Sequence, residues 1–207
     1  MDHKGLAAAE RHELADLLSG LTTAQWDAAS LCGQWRVRDV ATHVIAYLDR
    51  NRLDWTTAIA RHRLNIDRLN ATDVQRSAEL APGDIVESMS ANINPHSIGA
   101  GFGGRIALLE CMIHQQDIRR PLNLPRTIPS ERLRAALNFA RMSPVIRGGW
   151  HARGVRLIAT DLDWSAGRGP EVRGPAEALL LAMALRPSAL TELTGPGAAV
   201  LRQRQQD

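Results

Sequence analysis

Residues 108–118 read Leu108-Leu109-Glu110-Cys111-Met112-Ile113-His114-Gln115-Gln116-Asp117-Ile118. Apolar side chains recur at helical intervals and no Gly or Pro intervenes before Pro121, so a helix is expected from Arg105 to about Arg119. At ~3.6 residues per turn, Glu110 and His114 share one face and Asp117 extends it by a further turn. The result is a polar stripe where a core stripe would be expected. An unpaired buried carboxylate costs several kcal/mol unless it pairs, binds a metal or takes up a proton. Glu110 therefore implies either a buried ion-pair network or a metal ion.

A second stretch, Val40-Ala41-Thr42-His43-Val44, sets His43 among apolar neighbours. It reads as a hydrogen-bonded core histidine or as a ligand. Brought opposite Glu110 and His114 by a second helix, it completes two imidazoles and one carboxylate, which suits a catalytic zinc or similar divalent ion with an open position. Asp39, four residues earlier, could accept the ring N–H that a metal does not use. It could equally favour the helix N-terminus through the macrodipole.

Outward from these stretches the pattern is mainly helical. Residues 6–20 carry Leu6, Leu14, Leu17 and Leu18 at helical intervals. A long helical pattern runs from Val37 through Val40, Val44, Leu48 and Trp55 towards Ile66, and a shorter one starts at Pro82. The glycine-rich residues 94–104 lack a preceding strand and a following Lys-Ser/Thr, so they read as an entrance loop rather than a phosphate cradle. A further helix is expected over about 129–145. After Arg147-Gly148-Gly149-Trp150 the character changes. Val155–Thr160 and Glu171–Gly174 read as strands, and Pro175–Met183 as a helix with Pro at its start. The expected division is a helical bundle over 1–147 and a small α+β segment over 148–207.

Composition narrows the function classes. The 207 residues are 44% hydrophobic and 23% charged, ordinary for a globular chain with a proper core. Lys4 is the only lysine, and the net charge of +3 comes from arginines dispersed among 22 acids. No basic block interleaved with aromatics suggests nucleic-acid binding. No apolar run approaches the ~20 residues that cross a bilayer, and no apolar h-region follows the N-terminus, so a cytoplasmic location without membrane insertion is expected. Cys32 and Cys111 lie in no Cys-x-x-Cys pair and read as free thiols, Cys32 as a buried structural one. His3, His12, His62, His96 and His151 have no partners of comparable spacing. Among them only His96, in the glycine-rich loop, could border the site.

The stretch Ser30-Leu31-Cys32-Gly33-Gln34-Trp35-Arg36-Val37-Arg38-Asp39-Val40-Ala41-Thr42-His43 resembles the Leu-Cys-x-x-Trp-x-Val-x-Asp-Val-x-x-His signature of the mycothiol-dependent maleylpyruvate isomerase family. Glu110-x-x-x-His114-x-x-Asp117 followed by Arg120-Pro121-Leu122 resembles that family's second motif. The segment from Arg156 to Ala176 is similar to its C-terminal part. Gly33-Gln34 stands where relatives commonly have Pro-Gly, and Asn123 where they have Gly. The segment after 148 is short for a complete sterol carrier-like domain.

The resemblance implies a mainly α fold: a DinB-like four-helix bundle with a small C-terminal α+β segment. It implies a divalent metal, zinc first with nickel, iron or manganese as alternatives, on His43, Glu110 and His114. It also implies mycothiol as thiol cofactor and a small electrophilic substrate as partner, for S-transfer or cis–trans isomerisation by an isomerase- or transferase-like enzyme. The alternative is a non-enzymatic metal-binding DinB-like bundle with a binding or stress-associated role. The two differ in whether the metal keeps an open position or is closed by a fourth ligand such as Cys111 or Asp117. No residue is assigned to catalysis or to thiol binding. Apolar helix faces leave a homodimer open.

Overall fold

The computed structural model describes residues 2–46, 48, 52–62, 65–97 and 99–204, without the side chains of residues 52, 55, 59 and 67. The chain is mainly helical with one small sheet, and it forms two compact units, Met1–Pro125 and Arg126–Asp207. None of the described helices is long and apolar enough to cross a membrane.

The first unit contains α1 (His3–Ser19), α2 (Thr23–Trp26), α3 (Val37–Ile45), α4 (Arg52–Arg61), α5 (Ile66–Arg76), α6 (Pro82–Ala91) and α7 (Arg105–Arg119). Four of the starts show their chemical cause directly. The Asp2 carboxylate accepts from the Lys4 and Gly5 N–H groups ahead of α1. Thr22 and Gln25 satisfy each other's backbone N–H groups at α2. Asp39 accepts from Arg36 N at 2.9 Å ahead of α3. Pro82 occupies the first turn of α6, where its missing N–H has no partner to lose.

Helices α1, α3, α6 and α7 form the bundle: α1 packs on α6 and α7, and α3 packs on the same pair. Leu14 and Leu18 of α1, Val37, Val40, Ala41 and Val44 of α3, Ile85 and Met89 of α6, and Cys111 and Ile118 of α7 share one buried cluster. Burying each large apolar side chain contributes about 1.5–3 kcal/mol, so the bundle rests on this seam. Gly104 permits α7 to start beside α1. A Cβ there would lie 3.0 Å from Lys4 Cα, and the residue has a φ of +93°.

The single helix expected from Val37 towards Ile66 is three helices instead. Asn65 explains one break: its side chain accepts from Arg68 N at 2.9 Å, capping α5 and diverting the backbone from a continuous ladder. Residues 47, 49–51, 63 and 64, and the side chain of Trp55, lie outside the described residues.

The second unit comprises α8 (Ser130–Met142), α9 (Gly148–His151), β1 (Arg156–Ala159), β2 (Ser165–Gly167), β3 (Glu171–Gly174), α10 (Ala176–Met183) and α11 (Ala198–Arg204), with a 3-10 turn over Pro187–Glu192. The sheet order is β2-β1-β3, β2 antiparallel and β3 parallel to β1. Apart from Glu177, helix α10 is apolar and correspondingly buried. The units divide after Pro125, and α8 packs on α10 within the second unit.

Candidate metal centre

Helix α7 sets Glu110 and His114 one turn apart, and α3 brings His43 to the same point. Glu110 Oε2 lies 3.3 Å from His114 Nε2 and 3.9 Å from His43 Nε2. The two imidazole rings meet edge to face with centroids 4.9 Å apart. One donor atom from each of the three residues falls within 4.8 Å of the others. Ligand atoms around one ion with bonds of about 2.0–2.2 Å stand roughly 3–3.5 Å apart, so two imidazoles and a carboxylate here could hold a divalent ion after small adjustments.

Burial divides the roles. His43 and His114 are buried, whereas the Glu110 side chain is 27% exposed. Glu110 is thus less buried than its apolar sequence neighbours suggest. It opens the site to solvent while both imidazoles stay in the bundle.

The electrostatics follow. Burial dominates at His43 and lowers its pKa against the pull of Glu110, leaving a neutral imidazole, the form a metal takes. Burial would lower His114 too, but hydrogen bonds to Asp117, Cys32 and Glu110 outweigh it and hold its pKa well above the usual value. Burial would raise Glu110, but hydrogen bonds with His114 and His43 outweigh that and keep the carboxyl well below the usual carboxylate range.

Asp117 is fully buried on the far side of His114, its Oδ2 2.9 Å from Nδ1. An imidazole whose Nδ1–H is held by a carboxylate presents Nε2 outward, the orientation expected of a metal-ligating histidine. Asp39 takes the helix-end role of its two alternatives: its carboxylate caps α3 and pairs with Arg36. Trp35, on the loop before α3, packs against His43 with ring centroids 5.1 Å apart.

Neither Cys111 nor Asp117 joins His43, Glu110 and His114 among the described residues. Asp117 instead groups with His114 and Cys32, whose Sγ donates to Asp117 Oδ2 at 3.0 Å. Cys32, expected as a buried structural thiol, is half-buried and hydrogen-bonded to Asp117. Neither Cys32 nor Cys111 is in a disulfide. His96 has both ring nitrogens engaged by its own loop. It is exposed, with Nε2 2.6 Å from Asn92 Oδ1 and Nδ1 3.2 Å from Ser97 Oγ.

Residues 7–94 match the family model for the mycothiol maleylpyruvate isomerase N-terminal domain. This stretch contains His43 but not α7. No curated protein matches the chain. Among solved structures, mycothiol-dependent maleylpyruvate isomerase superposes with a TM-score of 0.56 at 13% identity, covering 95% of this chain and 92% of that one. A histidine-to-alanine mutant of the same enzyme gives 0.57 at 12% identity with the same coverage. At such identity the likeness concerns the fold, and it extends through both units. Residues 7–94 are therefore similar to the mycothiol maleylpyruvate isomerase N-terminal domain, and the chain has the mainly α fold of that isomerase.

Proposed function

We propose that this protein is a metal-dependent enzyme using a low-molecular-weight thiol such as mycothiol to isomerise or S-conjugate a small electrophile. The observation that supports it best is the convergence of His43 Nε2, Glu110 Oε2 and His114 Nε2 with no fourth protein donor among the described residues. An open fourth position is the mark of a catalytic rather than a structural site. It favours the enzyme over a closed, purely structural bundle.

Zinc on these three ligands would supply a Lewis acid that acidifies a thiol at its open position, and that thiol could add to and leave an activated double bond or remain attached to an electrophile. The chain's own residues prepare the place. Asp117 holds the Nδ1–H of His114 and so points Nε2 at Glu110. Trp35 packs on the His43 ring and limits its tilt. The exposed part of Glu110 marks the side from which thiol and electrophile arrive, while the bundle keeps water from both imidazoles.

Metal analysis of the purified protein beside His43→Ala and His114→Ala variants tests the ligands, with metal expected in the wild type and lost from both variants. Mycothiol titrated calorimetrically into zinc-loaded protein is expected to bind, and electrophile turnover to require the thiol. Metal retained in both variants would sink the ligand assignment. Metal binding without thiol binding or thiol-dependent turnover would leave the non-enzymatic alternative.

A further inference from the structure

The loop between α2 and α3 backs both histidines of the cluster. It is tightly folded: Ser30 N and Ser30 Oγ donate to Trp35 O at 3.1 and 2.7 Å, Cys32 N donates to Ser30 Oγ at 3.0 Å, and Trp35 N donates to Cys32 O at 3.0 Å. It is also tied to α7, because Leu31 N donates to Asp117 O at 3.0 Å. From this frame Trp35 reaches His43 and Cys32 reaches the Asp117 carboxylate behind His114.

We infer that Cys32 is a positioning residue of the metal centre, its S–H fixing the Asp117 carboxylate that in turn fixes the His114 imidazole. The inference rests on the ligand assignment proposed above. The geometry is specific. Asp117 Oδ2 receives the Cys32 thiol at 3.0 Å and the His114 Nδ1–H at 2.9 Å, whereas Cys32 Sγ stands 4.0 Å from that nitrogen. The shorter route from the thiol to the ring thus runs through the carboxylate, beside a longer direct contact. Asp117 is fully buried, so losing a donor is not made good by solvent, and the carboxylate relaxes from the orientation that aims Nε2 at Glu110.

Removing a carboxylate that directly supports a ligating histidine typically costs 10–100-fold in metal affinity. A thiol is a weaker donor and stands one residue further out, so Cys32→Ala should weaken binding about three- to tenfold. Cys32→Ser keeps a hydroxyl that can donate to Oδ2 and should stay within about twofold of the wild type.

The test is cobalt(II) affinity by chelator competition, with visible absorption of the bound ion, in wild type, Cys32→Ala, Cys32→Ser and His43→Ala. The expected result is weaker binding and shifted d–d bands in Cys32→Ala, with both restored in Cys32→Ser. A mere packing role would lower stability in Cys32→Ala while leaving affinity and bands unchanged, and would overturn the inference. A sulfur-to-cobalt charge-transfer band in the wild type that disappears in Cys32→Ala would overturn it differently, making Cys32 a ligand. Undiminished cobalt in His43→Ala would remove the underlying ligand assignment. Cobalt lost from His43→Ala but bound equally by Cys32→Ala and wild type would remove only the role of Cys32.

Discussion

Asp117 Oδ2 lies 2.9 Å from His114 Nδ1, while Glu110 Oε2 lies 3.3 Å from Nε2 of the same ring. One imidazole is thus held between two carboxylates on its own helix, at spacings of three and four residues. The deeper carboxylate orients the ring and the outer one faces the candidate metal position. Asp117→Asn keeps the size of the group but removes its charge, so zinc affinity should fall about 10–100-fold. Competition against a chromophoric chelator measures this. Unchanged affinity would show that the ring is oriented by something other than Asp117.

The same pair sets a pH dependence. Without metal, His114 holds its proton well above the usual histidine range because Asp117, Cys32 and Glu110 outweigh its burial. Metal binding at Nε2 must expel that proton, so affinity rises with pH. The rise should continue above pH 6.5, the ordinary histidine value, since the folded pKa is raised. The sign for stability is opposite: the contribution of a histidine with raised pKa is complete below its unfolded value and is lost as pH climbs through its folded value. Zinc isotherms at several pH values check this, and a plateau at pH 6.5 would contradict it.

How far the site could be read in advance depended on which contacts are local. Glu110, His114 and Asp117 lie on one helix, so spacing alone put them on one face. The approach of His43 depends on the packing of α3 against α7, which no spacing rule supplies, and it was the paired motifs that carried it. The Cys32–Asp117 hydrogen bond joins residues 85 apart, and a thiol in a loop gives no signal of such a partner. In the fold, the periodicity from Val37 onward persists across the breaks between helices, so it indicated one helix where there are three. Strand β2 is Ser-Ala-Gly, too short and too poor in β-branched residues to stand out from a turn. Helix α8 shows an apolar face, but a face does not name its partner, so its packing on α10 was not legible.

Cys111 follows Glu110 directly but turns into the bundle, 1% exposed, and burial pushes its thiol pKa up to about 11. Thiolate is the reactive form, so Cys111 should resist iodoacetamide at pH 8 in the native protein and react in denaturant. Peptide mass spectrometry distinguishes the two states. Because the folded pKa is raised, the contribution of this thiol to stability is intact below its unfolded value, about 9, and declines as pH rises beyond it. Labelling of Cys111 at equal rates in both states would mean that α7 opens readily at this position.

The sequence resemblance sets Asn123 against a glycine, and the backbone accommodates either residue. Its φ is +52°, left-handed, just beyond α7. Leu124 N donates to Arg119 O at 3.0 Å and Asn123 N to Arg120 O at 3.2 Å, the paired hydrogen bonds of a Schellman helix end with Asn123 at the left-handed position. Leu122 and Leu124 on either side pack against the bundle core, so this turn anchors the C-terminal end of the helix that carries Glu110 and His114. Asparagine tolerates the conformation better than other L-residues, and glycine adopts it without a Cβ penalty. Asn123→Gly should therefore change stability by no more than about 0.5 kcal/mol, because relief of strain is offset by extra freedom in the unfolded chain. Asn123→Ala should cost about 1 kcal/mol, and Asn123→Val more, because β-branching crowds the turn. Denaturant unfolding of the three variants measures the series, and an Ala variant as stable as wild type would show that the turn relaxes out of the left-handed region.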